Sequence, residues 1–348
     1  MHSQGPKPVV QQTRPADIAE RLAGFSPEKL RLLAREIKKR KAGTLMQANG
    51  SVPASPLVPI RTSGSAPPLF LVHPVGGGVI AYHSLAEHLR AEQPVYALQN
   101  LDSAALDNQE SLRIEDMAAR YVEAIRTVCP GGPYLLGGSS MGGAVAFEMA
   151  VQLKEQGQRV LLVAMLDTPA RVIPHMQDHD GDATLAVELM MLASIIASGA
   201  GTRFELRLAD LNGLNAEEQI SCVFERLRRQ QLISANLSPS AFRAALMALV
   251  KNLNAFERYV PRMYDGRVAM LRARDASSDM KESAGELCDD PMFGWQAHCT
   301  QQVIVRFVPG DHVMMNLEPN VRFTGAELQR LLDETRELME TCSLPRQK

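Results

Sequence analysis

No part of this 348-residue chain is apolar for long enough to cross a bilayer: the longest apolar patch, Leu189 to Ala197, falls well short of the ~20 residues a spanning helix needs. The opening "MHSQGPKPVVQQTRP" has no apolar stretch of the kind a signal peptide requires, so the expected compartment is the cytoplasm, with no membrane partner. Neither sign of charge is in surplus. Lys and Arg number 37 against 39 Asp and Glu, a formal net charge of -2, which offers nothing for a nucleic acid to grip. The five cysteines (Cys129, Cys222, Cys288, Cys299, Cys342) are odd in number and scattered, with no CxxC pair, which argues against zinc or dithiol chemistry. The glycine run Gly76-Gly77-Gly78 lacks both a following Walker lysine and a GxGxxG pattern, so it is not read as a phosphate cradle. No internal repeat or low-complexity tract is visible. What is present is 45% apolar composition, enough for one large core or two modest ones.

The chain divides into three. Residues 1–45 contain "FSPEKLRLLAREIKKRK", in which Ser26 is placed to cap a helix, Pro27 takes its first position, and Leu30, Leu33 and Ile37 share one face. Residues 46–66 are rich in Gly, Ser, Pro and Thr and read as a linker without regular elements. From residue 67 to 348, short apolar runs alternate with amphipathic stretches: strands are expected at Leu69–His73, Val95–Leu98, Tyr134–Leu136, Val160–Leu166, Arg267–Ala273 and Val303–Val308. That alternation predicts an α/β fold, a mainly parallel sheet with helices on both faces. Between about residues 170 and 262 the text is helical only, which reads as a lid inserted at one point of the sheet.

Chemistry concentrates at "YLLGGSSMGGAVAFEMA". The pattern Gly138-Ser139-Ser140-Met141-Gly142 joins a strand to a helix, the context in which a serine is raised on a tight turn as a nucleophile. Serine alone is a poor nucleophile; it needs a base, and the base an orienting acid, in the chain order Ser, acid, His. Four histidines follow Ser140. His175 and His179 fall in polar text and His298 precedes the last strand, whereas His312 follows that strand at the end where Ser140 also sits, which makes His312 the expected base. Two acids compete for the third place: Asp167, at the end of "VLLVAMLD", and Asp275, after "RVAMLRAR" one strand later. The oxyanion is expected to be held by the Met141 amide and, from the glycine-rich bend after the first strand, the Val75 amide. His73 in that bend reads as a loop-positioning residue.

Taken as an ordered set, "HPVGGGVIAYHSLAEHL", "VYALQ", "YLLGGSSMGGAVAFEMAVQL", "MLDTPA", the single Trp in "FGW" and "VPGDHVMMNLEPNV" resemble the thioesterase domains of nonribosomal peptide and polyketide synthases, over about Pro67 to Leu338. The resemblance implies an α/β-hydrolase fold and release of an acyl, polyketide or peptidyl chain from a phosphopantetheine thioester, by hydrolysis or macrocyclisation. In terminal release domains the acid follows the strand directly after the nucleophile's helix, which implies Asp167. Discrete editing thioesterases carry it one strand later, at the place of Asp275. The implied partner is an acyl or peptidyl carrier protein or an upstream synthase module, and the amino-terminal helix is similar to helices at module junctions. No cofactor or metal is implied. A carboxylesterase or lipase with the same triad, and a non-catalytic hydrolase-like binding module, are the other readings; acyl chain identity and oligomeric state are not encoded in any motif.

Overall fold

The computed structural model of the chain describes residues 55–100, 112–171, 181–199, 202, 204–275 and 285–343. The expected amino-terminal helix, His175 and His179 lie outside these residues.

Among the described residues seven strands form one sheet: β1 (Leu57–Arg61), β2 (Leu69–Val72), β3 (Val95–Leu98), β4 (Tyr134–Ser139), β5 (Val160–Leu166), β6 (Val268–Ala273) and β7 (Ile304–Val308), in the order β1-β3-β2-β4-β5-β6-β7. All neighbours are parallel except β1, which runs antiparallel to β3. Side chains alternate across the sheet with the period of two that a pleated strand imposes. Phe70, Val72 and Leu136 join the core under helices α2 (Ile114–Arg126) and α3 (Met141–Glu155), while Leu69, Leu71 and Leu135 join the core under α1 (Ala81–Glu87) and α7 (Val321–Ser343). Because helices cover both faces, the inner strands read as apolar runs rather than alternating ones, and β2 and β4 are buried throughout; the polar exceptions, Ser139 on β4 and Arg272 on β6, lie towards the strands' carboxyl ends.

One expectation is corrected. Residues 46–66 are not wholly linker, since β1 forms within them. Its sequence hid it: Pro59 removes a ladder donor, as only an edge strand tolerates, and all five of its residues are half-buried or exposed, without alternation. Tertiary contacts hold it in place. The Arg61 guanidinium donates to the carbonyls of Ala86 (2.9 Å), Arg90 (2.7 Å) and Gln93 (3.0 Å), closing the carbonyl end of α1.

The insertion is helical, as the sequence predicts, with α4 (Gly181–Gly199), α5 (Ala216–Arg229) and α6 (Pro239–Glu257) between β5 and β6. Local chemistry starts two of them. Asn215 Oδ1 accepts from Glu218 N–H (3.1 Å) while Glu218 Oε2 accepts from Asn215 N–H (2.9 Å), a reciprocal cap for α5; Ser238 Oγ accepts from Ala241 N–H (3.1 Å), with Pro239 opening α6. The three helices bury a core of their own, in which Leu189, Leu192 and Ile196 of α4 meet Val223, Phe224, Phe242 and Leu249. Those α4 residues are therefore packing rather than an exposed acyl-binding face, whereas Leu185, Met190 and Ile195 stay half-buried.

Inside this lid, Glu188 of α4 is only 6% exposed; burial, then the Glu257 carboxylate on α6, push its carboxyl up to about 7. A carboxyl whose folded value exceeds its unfolded one costs stability as pH rises from the unfolded value to the folded one, here up to a ceiling of about 3 kcal/mol. Glu188→Gln is expected to raise the melting temperature by about 5 °C at pH 8 and by much less at pH 5. Thermal unfolding at the two pH values checks this, and an equal shift at both would remove the ionisation as its cause.

Candidate active site

Ser140 stands at the junction of β4 and α3, with φ 55° and ψ -130°, a backbone state that a non-glycine residue keeps only when its surroundings over-determine it. They do so here from three sides. Ser140 N–H donates to Leu166 O of β5 (2.9 Å), and its carbonyl accepts from Gly143 N–H (2.9 Å) and from Thr168 Oγ1 (2.9 Å). The two flanking glycines are demanded by close approach. A Cβ on Gly138 would lie 2.4 Å from the Gly142 carbonyl, and one on Gly142 only 2.3 Å from Val72 O. Tyr82 of α1 clamps the turn to the sheet, its hydroxyl donating to Val72 O (2.5 Å) and accepting from Ser139 N–H (3.0 Å).

Of the two candidate acids, the structure brings one to the histidine. Asp167 Oδ2 accepts from His312 Nδ1 at 2.9 Å. Asp167 is 1% exposed, follows β5 with φ 49°, and its Oδ1 accepts from Ala273 N–H (3.0 Å) and from Arg272 Nη1 (2.5 Å). Burial is the largest single influence on its carboxyl and disfavours the charge. The His312 hydrogen bond and charge, the Arg272 guanidinium and the Ala273 amide together outweigh it, so the carboxyl lies below its ordinary range. Asp275 is exposed beyond the end of β6, and its contact with the histidine loop is through backbone, Asp275 N–H to Gly310 O (3.1 Å). His298 lies at the end of a short 3-10 turn, Trp295–His298, with its ring against Trp295 and its carbonyl accepting from Tyr264 N–H (2.9 Å).

His312 sits in the loop after β7, and its turn is built locally: Asp311 Oδ1 accepts from the amides of Val313 (3.0 Å) and Met314 (2.8 Å). Asn316 joins this loop to the nucleophile's turn, its Nδ2 donating to Ser139 Oγ (3.1 Å) and to His312 O (3.5 Å). No hydrogen bond joins Ser140 Oγ to His312 Nε2 in this structure, and Asn316 bridges the two loops; such catalytic bonds commonly tighten only with substrate bound.

The two amides expected at the oxyanion differ in how they are presented. Met141 opens α3, where first-turn N–H groups have no intrahelical acceptor. Val75 is presented by its neighbours. Pro74 O accepts from Gly77 N–H (2.8 Å) and His73 Nδ1 (2.7 Å), and in a trans peptide this sends the Val75 N–H the opposite way. Because a carbonyl only accepts, the His73 proton is on Nδ1, and Nε2 accepts from the Tyr121 hydroxyl at 2.7 Å. Burial holds the His73 pKa down at about 4, against the opposing pull of the Pro74 bond, so the ring is neutral near pH 7. His73 is thus placed to shape the loop, as its sequence context suggests.

Sequence reasoning missed Arg272, Asn316, Tyr82 and Thr168. None carries a local signal, since each acts on a partner 28 to 177 residues away. The single tryptophan has a visible task, Trp295 Nε1 donating to Thr168 O at 2.8 Å and so steadying the residue that holds Ser140 O. Among the described residues, no group of three or more His, Cys, Asp or Glu side chains is placed to hold a metal ion, and no helix is long and apolar enough to cross a membrane.

Comparison with known proteins gives the family. The thioesterase domain family matches residues 67–325. The chain is 34% identical over 220 residues to a dimodular nonribosomal peptide synthase of Bacillus subtilis (strain 168), covering 62% of this chain and 8% of that protein. It is 28% identical over 325 residues to the chondramide synthase of Chondromyces crocatus, covering 89% of this chain and again 8% of the relative. The chain therefore spans only a small part of the synthetases it matches. Among solved structures, it superimposes on the four-domain nonribosomal peptide synthetase holo-AB3403 with a TM-score of 0.70 and 26% identity, over 83% of this chain and 21% of that one. It also superimposes on the Vlm2 thioesterase domain with a TM-score of 0.54 and 23% identity, over 79% and 96%. With the serine turn, the buried acid and the helical insertion in these positions on a seven-stranded sheet, the chain has the α/β-hydrolase fold and belongs to the thioesterase domain family.

Proposed function

We propose that this chain releases an acyl, polyketide or peptidyl chain from the phosphopantetheine thioester of a carrier protein through a covalent intermediate on Ser140. The observation that carries this reading is the buried Asp167 carboxylate on His312 Nδ1, on the strand directly after the nucleophile's helix, where the family's terminal release domains keep their acid. The synthetase relatives are multidomain proteins of which this chain matches a small part, and that supports a carrier protein or upstream module as the partner.

The chemistry is acyl transfer. His312 takes the Ser140 hydroxyl proton at Nε2 as Oγ attacks the thioester carbonyl, and Asp167 stabilises the imidazolium. The Val75 and Met141 amides hold the oxyanion, each such donor worth about 2.7–4 kcal/mol in the transition state. The C–S bond then breaks, the thiol leaves with the proton from His312, and the acyl group stays on Ser140. Water, or a nucleophile within the chain itself, repeats the sequence in reverse to give an acid or a macrocycle. The lid governs which by the water it admits. No step calls for a metal or a redox cofactor.

The test is intact-protein mass spectrometry with an acyl-pantetheine thioester and the matching oxoester in parallel. We expect a gain of one acyl mass from the thioester in preference to the oxoester, absent in Ser140→Ala. Acylation by the oxoester alone would assign the site to an esterase, and acylation of Ser140→Ala would remove Ser140 as the nucleophile.

A further inference from the structure

One side chain of the lid is bonded to the oxyanion loop. Asn252, on α6, is fully buried, and its Nδ2 donates to Val75 O at 2.7 Å across a sequence separation of 177 residues. The orientation of the amide is forced, because a carbonyl partner admits only the NH2 end. Its other end, Oδ1, is buried and has no hydrogen-bond partner among the described residues. A buried amide left half-satisfied is a liability to folding and calls for a reason beyond stability.

The backbone of the loop supplies that reason. The direction of the Val75 N–H is set by the peptide before Val75 and by the dihedrals at its Cα. His73 and Gly77 fix the preceding carbonyl, Pro74 O; Asn252 fixes the following one, Val75 O. With both carbonyls held, the two peptide planes that flank Val75 have no freedom to turn the N–H away. Ile195 of α4 lies against the next residue, where a Cβ on Gly76 would sit 3.4 Å from Ile195 Cγ2, and Val75 itself packs on the edge of the lid's core. The second anchor of this loop is thus carried by the insertion and not by the sheet.

We infer that Asn252 is a positioning residue for the oxyanion hole, which holds the Val75 peptide in its donating orientation and makes a complete hole conditional on α6 being docked. The inference rests on the function proposed above, in which Val75 N–H stabilises the oxyanion. Asn252 touches no reacting atom and acts through Val75.

The experiment uses the full chain and an alkyl fluorophosphonate. Ser140 Oγ bonds to phosphorus, fluoride leaves, the hydroxyl proton passes to His312, and the phosphoryl oxygen occupies the position of the oxyanion. In Asn252→Leu, which keeps the branched shape and loses the donor, we expect the maximal labelling rate to fall at least tenfold but by no more than the roughly 10²–10³ that outright loss of a hole donor costs. The half-saturating probe concentration should stay within about twofold, and labelling should reach the wild-type stoichiometry. A lid that was merely disordered would move the half-saturating concentration or the stoichiometry instead, which overturns the inference. Asn252→Asp keeps the shape exactly enough to serve where Leu does not fold: its protonated carboxyl can donate to Val75 O and its carboxylate cannot. Its rate relative to wild type should therefore fall as pH rises, and a pH-independent ratio near one overturns the inference, as does an Asn252→Leu rate within twofold of wild type. If wild-type Ser140 is not labelled, the site reading fails and takes the inference with it; wild-type labelling with unaltered variants defeats the inference alone.

Discussion

Asp167→Asn is expected to lower kcat by about 10⁴-fold while Asp275→Asn changes it by less than threefold, as measured by steady-state turnover of an acyl-pantetheine thioester. The carboxylate of Asp167 accepts from His312 Nδ1, which fixes the ring with its proton on that nitrogen and leaves Nε2 free to receive the serine proton. An amide in its place can present its NH2 end to Nδ1 and so favour the wrong tautomer, and it carries no charge to balance the imidazolium. Asp275 is exposed, and its contribution to the histidine loop is a backbone bond that substitution of its side chain leaves in place. The reverse outcome, loss of activity in Asp275→Asn and its retention in Asp167→Asn, would assign the acid to the later strand and the protein to the editing type. At equal turnover losses, thermal unfolding of the two variants separates catalysis from folding.

The second large effect is on stability. Arg272 is buried like the acid it accompanies, with side chains 6% and 1% exposed. Its Nη1 donates to Asp167 Oδ1 at 2.5 Å, its Nη2 to Cys288 O at 3.1 Å, and its guanidinium lies 3.2 Å from the centroid of the Phe293 ring. Removing one partner of a buried ion pair leaves the other charge uncompensated, which typically costs about 3–5 kcal/mol. Arg272→Met is expected to cost stability in that range by denaturant unfolding. The double variant Asp167→Asn/Arg272→Met should be less destabilised than the two single variants added together, because neither charge then remains alone. Additive losses would mean that the pair is not energetically coupled and that Arg272 serves chiefly through its stacking on Phe293.

These expectations separate two kinds of information in the chain. The serine turn is legible because its demands are local: Gly138 and Gly142 are required by atoms brought close at the turn itself, and the strand before and helix after are written in adjacent residues. The lid is legible for the same reason, as helical text between about residues 170 and 262, and the structure adds the caps that start two of its helices, Asn215 with Glu218 and Ser238 with Pro239. Strand β1 does not, since a five-residue edge strand with a proline at its centre has no periodicity to show and is held by Arg61 reaching carbonyls 25 to 32 residues away.

The site divides along the same line. Hydrophobic alternation, the glycine spacing and the order of Ser140, an acid and His312 along the chain determine a mainly parallel covered sheet, a raised serine and a short choice of partners; each depends on backbone preferences and burial that neighbouring residues settle among themselves. The tertiary structure alone decides which of two strand-end aspartates meets the histidine, that Arg272 balances it, that Asn316 joins the histidine loop to the serine turn, and that Asn252 reaches the Val75 carbonyl. Those are contacts between segments 105 to 177 residues apart, fixed by the sheet order and by the packing of the lid. A hydrogen bond of that separation leaves no periodicity in the sequence, because its geometry exists only once the elements between its partners have packed.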